Sequence, residues 1–150
     1  MKRILVLILL VLNVAFIWGN STLDGGASKG LSDRVIAVLV EVFGIDYTGD
    51  REDELDLNFL VRKAAHATEF AVLGVLSASL LPGRGQNGGQ WRFAAVLFGV
   101  LVALTDETIQ LFHARTSSVK DVWLDSAGLM VGILVVVLYR RWRGHRKRGE

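Results

Sequence analysis

Residues 103–132 read "ALTDETIQLFHARTSSVKDVWLDSAGLMVG", and the fold turns on how this stretch is placed. It holds four acids together with Gln110, His113 and Arg115, yet it joins two long apolar runs. The upstream run is Trp91–Phe112; the downstream one begins at Val119 or Val122 and reaches Tyr139. Each approaches the ~20 residues that cross a bilayer as a helix. The polar stretch is therefore read as a short turn between two membrane helices, together with the helix ends on either side of it.

Working outward, Leu57–Leu81 forms another apolar run, closed by "LPGRGQNGG" (81–89), where proline and glycines mark a loop. Ile4–Trp18, which stretches to Met1–Gly19, follows Lys2 and Arg3. It reads as an uncleaved first helix with Trp18 at the interface. A signal peptide is the alternative, although no Ala-x-Ala-like site follows in "FIWGNST" (16–22). Between these runs, "LSDRVIAVLVEVFG" (31–44) sets Leu31, Val35, Val38, Leu39 and Val42 near one helical face, with Ser32 or Asp33 placed to cap its start. It is expected as a short helix on the membrane surface. The expected fold is thus all-α and polytopic, with four transmembrane helices and a short surface helix between the first two.

Composition agrees. A length of 150 residues suits a single domain spanning 1–150, and 51% hydrophobic residues in long blocks favour lipid over water. The absence of cysteine excludes disulfide and thiolate chemistry. The net charge of +2 hides a strong asymmetry: residues 140–148 carry six Lys/Arg, and residues 20–58 carry nine acids against three basic residues. No nucleic-acid motif accompanies the basic segment. By the positive-inside rule, Lys2 and Arg3, the loop with Arg84 and Arg92, and the basic tail 140–150 are cytoplasmic. Both termini then face the cytoplasm, and the acidic segment and the turn around Arg115 face outward.

This orientation brings polar residues of three helices to one depth. His66 and Glu69 lie near the outer end of the second helix, Asp106, Glu107 and Gln110 near that of the third, and Asp121 and Asp125 at the start of the fourth. Ionisable groups inside a membrane segment are costly, so a shared polar cavity is expected to support them. A purely structural network is the competing reading, with Arg62 and Glu69, or His66 and Asp106, locking helices together. Carboxylates crowded in such a layer repel unless they share a proton or a cation, which admits Mg²⁺ or Ca²⁺. No cofactor is otherwise expected. Gly128 and Gly132 form a small-residue face for another helix, in this chain or in a second copy; Gly74 and Ala78 offer a weaker one.

The motifs "VRKAAHATEFAVLG" (61–74) and "TDETIQLFHARTSSVKDVWLDSAGLMVG" (105–132), with the order of the helices, resemble the VanZ-like membrane proteins. The resemblance is closest over 60–132. It implies that Lys63, His66, Glu69, Asp106, Glu107, Gln110, Arg115, Asp121, Asp125 and Gly128 carry the family pattern. Two positions depart from it: His113-Ala114 stands where a Pro-Gly pair is usual, and Asp125 where asparagine is common. The family takes its name from a member associated with resistance to the lipid-tailed glycopeptide teicoplanin.

Residues and resemblance together suggest a protein of the cytoplasmic membrane that binds a lipid headgroup or other amphiphile at its outer face, in an envelope or glycopeptide-antibiotic response. The expected ligand-binding residues are Lys63, His66, Glu69, Asp106, Gln110, Arg115, Asp121 and Asp125. The first alternative is an intramembrane hydrolase or transferase on a lipid-linked substrate, with His66, Glu69, Asp106 and Glu107 as catalytic candidates. A structural or partner-binding subunit and a proton-coupled transporter are the others.

Overall fold

The computed structural model describes residues 2–23, 25–44, 57–82, 88–113 and 119–146. Among the described residues the chain is helical: α1 (Lys2–Ser21), α2 (Gly25–Phe43), α3 (Leu57–Leu80), α4 (Gly88–Phe112) and α5 (Val119–Arg146). Three of these, α1, α4 and α5, are long and apolar enough to cross a membrane. Helix α3 has 24 residues, enough for about 36 Å at 1.5 Å per residue. The charged residues of its first half keep its composition below that of the other three.

Helix boundaries have local causes. Helix α1 runs past Trp18 through Gly19, Asn20 and Ser21 before Thr22 closes it, donating its hydroxyl to the Gly19 carbonyl at 2.7 Å. Helix α2 starts well before the predicted cap, so Ser32 lies within it and is buried. It ends where Gly44 adopts φ 63° and donates its N–H to the Val40 carbonyl at 2.9 Å, a left-handed turn that glycine enters without a Cβ clash. Helix α3 stops just before Pro82, and Arg140 of α5 donates to its terminal carbonyls at Ser79 (3.1 Å) and Leu81 (3.3 Å).

The centre of the bundle is the α3–α5 pair, and its closeness comes from small residues. A Cβ on Gly128 would meet the Ala67 carbonyl, one on Gly132 the Ala71 carbonyl, and one on Gly74 the Leu129 carbonyl. The small face of Gly128 and Gly132 is thus filled by α3 of the same chain. Ile17, Phe70, Leu73, Ala103 and Leu129 complete the apolar core.

Polarity is inverted relative to a water-soluble bundle. Ile4, Leu12, Leu101, Leu104, Leu134 and Leu138 are exposed, while Asp106, Glu107, Gln110 and Asp125 are buried. Water would penalise that outer surface and lipid does not. The polar core residues gather at one end of the bundle. At the other end, Arg3, Arg92, Arg140 and Arg141 surround a cleft of about 520 Å³.

Candidate functional site

Four helices deliver side chains to the polar end: the last turn of α1, the first half of α3, the last turns of α4 and the first turns of α5. Asp106 of α4 is the hub and is 0% exposed. Its Oδ1 accepts a hydrogen bond from the Ser21 hydroxyl of α1. Its Oδ2 accepts one from Gln110, a turn further along α4, at 2.8 Å. His66 of α3 brings Nδ1 to 3.9 Å from the same Oδ2. Three helices therefore meet at one carboxylate.

Around this hub, Asn20 of α1 donates to Glu69 of α3 at 2.8 Å, and Lys63 of α3 pairs with Asp121 of α5. The two pairs differ in kind. Asn20–Glu69 ties α1 to α3 by a charge-assisted hydrogen bond, whereas Lys63–Asp121 is an ion pair that ties α3 to α5. Lys63 also lies 5.1 Å from the centroid of the Phe59 ring, which keeps its charge at this level of the helix.

Asp125 is the exception. It is 1% exposed, and neither carboxylate oxygen has a hydrogen-bond partner among the described residues. One ligand atom each from His66, Asp106 and Asp125 lies within 4.8 Å of the other two, a grouping that one metal ion can draw together. Beside this cluster opens a small cleft of about 10 Å³, lined by Arg62, Lys63, His66, Glu107, Gln110, Asp121, Leu124 and Asp125. That is the room of roughly one water. Its walls carry both signs of charge.

The structure thus brings together Lys63, His66, Asp106, Glu107, Gln110, Asp121 and Asp125, with Glu69 on the α1 side of the same layer. Glu107 is buried beside Asp106. Of the two locking pairs considered from the sequence, His66 and Asp106 do approach one another, while Glu69 reaches Asn20. His113, on the Asp106 face by spacing, is exposed, with its Nδ1 2.9 Å from the carbonyl oxygen of Ile109 in its own helix. Arg115 lies outside the described residues. Asn20 and Ser21 were missed by sequence reasoning. The available signal was orientation: a first helix that starts at the basic end must finish at the level of His66 and Asp125.

An all-helical chain with three apolar spans, an apolar exterior and a polar layer at one end is a membrane protein of multi-pass type. Residues 4–140 match the family model of VanZ/LLP1, and the chain belongs to this family. No curated protein and no solved structure matches it.

Proposed function

We propose that this VanZ/LLP1 protein receives the polar headgroup of a membrane amphiphile at the mouth of the cleft between α3, α4 and α5. The observation that carries this reading is the cleft's mixed lining. Arg62 and Lys63 offer cationic donors, Glu107 and Asp125 offer acceptors, and exposed apolar helix faces adjoin them. A headgroup bearing both a phosphate and an amine matches such a lining, the phosphate with the guanidinium of Arg62 and the amine with the carboxylates. Because the cleft itself is small, the headgroup sits at its mouth rather than inside it. Arg115 is a further expected phosphate contact.

In this reading α1, α3, α4 and α5 are four spans, and α2 lies on the membrane surface. The arginines at the far end support a cytoplasmic assignment for that end, so both termini are inside and the polar layer faces out. A role in the envelope, of the kind that a glycopeptide-antibiotic response would draw on, follows from an outward headgroup site.

Native mass spectrometry on protein extracted with its own lipids tests the proposal. Arg62→Ala and Arg115→Ala are expected to lose a retained lipid that Arg84→Ala keeps. Equal retention by all three variants sinks it. Catalysis is a second reading, supported by the 3.9 Å approach of His66 to Asp106. Turnover of the retained lipid, abolished by His66→Gln in folded protein, would favour it. If no lipid is retained by folded protein, the polar layer is better read as a structural or partner-binding network.

A further inference from the structure

We infer that His66, Asp106 and Asp125 form a binding site for one divalent cation. The site shares Asp125 with the proposed headgroup cleft but is argued from the spacing of three ligand atoms rather than from the cleft's lining, and it does not require that reading to hold.

Two independent observations meet here. The first is placement: three ligand atoms from three different helices lie within 4.8 Å of one another. A tetrahedral ion with bonds of about 2.0–2.2 Å holds its donors roughly 3.3–3.6 Å apart. Closure of the more distant donors by about 1 Å, within the reach of side-chain rotation, completes the set, and His66 to Asp106, at 3.9 Å, is already near that separation. The second is the state of Asp125. A carboxylate 1% exposed, with both oxygens lacking a hydrogen-bond partner among the described residues, points into the cluster. Buried charges are ordinarily paired or bound to metal.

The surroundings fit metal ligation. Asp106 accepts from Ser21 and from Gln110, contacts that hold a ligating carboxylate in a fixed orientation. The cluster also has an approach route, since His66 and Asp125 both line the cleft. Lys63, which lines the same cleft, is paired with Asp121.

The donor set narrows the choice of ion. One imidazole and two carboxylates suit Zn²⁺ or Mn²⁺ better than Mg²⁺ or Ca²⁺, which prefer oxygen alone. Three protein ligands leave coordination positions for water or for an oxygen of a bound headgroup.

The test uses the full chain in mild detergent, stripped with a chelator, dialysed and then equilibrated with Mn²⁺ or Zn²⁺. The expected result is about one tightly held ion per chain, a bound-Mn²⁺ resonance showing nitrogen coupling from one imidazole, and a metal-dependent rise in melting temperature. Asp125→Asn and His66→Ala should each lower retention at least tenfold, while Glu41→Gln on α2 retains the ion. Retention by wild type no greater than by Asp125→Asn overturns the inference. If that variant does not fold, wild type alone decides, because no melting response to either ion also overturns it. Should Asp125 instead be satisfied by a proton, Asp125→Asn would melt like wild type and neither would hold metal. Lipid retention is read separately by mass spectrometry, so loss of either proposal leaves the other standing.

Discussion

The side-chain amide of Asn20 lies 2.8 Å from the Glu69 carboxylate, joining the end of α1 to the middle of α3 across 49 positions of sequence. One residue further on, Ser21 donates to Asp106 of α4. The first helix therefore closes the polar layer as well as adding an apolar wall. Replacing Asn20 with alanine removes a donor from a carboxylate in a medium where water does not easily substitute. A loss of about 0.6–2 kcal/mol is expected in a double-mutant cycle with Glu69→Ala. Thermal melts in detergent measure it, and a coupling energy near zero would show that the two residues act independently.

Lys63 and Asp121 pair across the α3–α5 contact with side chains 20% and 16% exposed. At that partial burial the pair is expected to matter more than an exposed one, by roughly 1–3 kcal/mol when one partner is lost. Lys63→Met should lower the melting temperature and Lys63→Glu should lower it further. The exchange Lys63→Glu with Asp121→Lys should recover much of the loss. Failure of the exchange to recover any stability would assign Lys63 another partner.

Gly132 is the sharpest steric test, because an added Cβ meets the Ala71 carbonyl, which is backbone and has little freedom to move. Gly132→Ala should cost about 1–3 kcal/mol by forcing α3 and α5 apart. Gly19→Ala, where nothing lies within 4 Å of the added carbon, is the matched control. Comparable melting temperatures for the two variants would mean that the helices pack less closely than described.

The lack of native cysteine makes topology simple to measure. Thr22 and His145 are both exposed, beside the polar end and within the basic end respectively. In intact cells, a membrane-impermeant thiol reagent should label Thr22→Cys readily. It should label His145→Cys after permeabilisation alone. Labelling of both from outside would overturn the inward placement of the C-terminus.

Much of this arrangement was legible in the chain because lipid imposes a simple grammar. Apolar runs of sufficient length must become helices, as at 91–112 and 119–139, and acids interrupting them stand out. That is why Glu69, Asp106, Glu107 and Asp125 were identifiable as one layer. Asn20 and Ser21 were not, since uncharged polar residues at a helix end are ordinary and nothing in their spacing names a partner. His113 lies on the Asp106 face by helical periodicity, but its ring nitrogen is 2.9 Å from the carbonyl oxygen of Ile109 in the last turn of α4.

The sequence by itself determined the helices, the inverted distribution of polarity and the level of the polar layer, because hydropathy and helical period act locally along the chain. Tertiary structure decided the partners. Lys63 faces Asp121, Ser21 and Gln110 converge on Asp106, and Asp125 is left with two unpartnered oxygens beside His66. Those outcomes depend on the rotation and separation of packed helices. Between α3 and α5 the close contacts of Gly74, Gly128 and Gly132 set the separation, and hydropathy carries no information about such contacts.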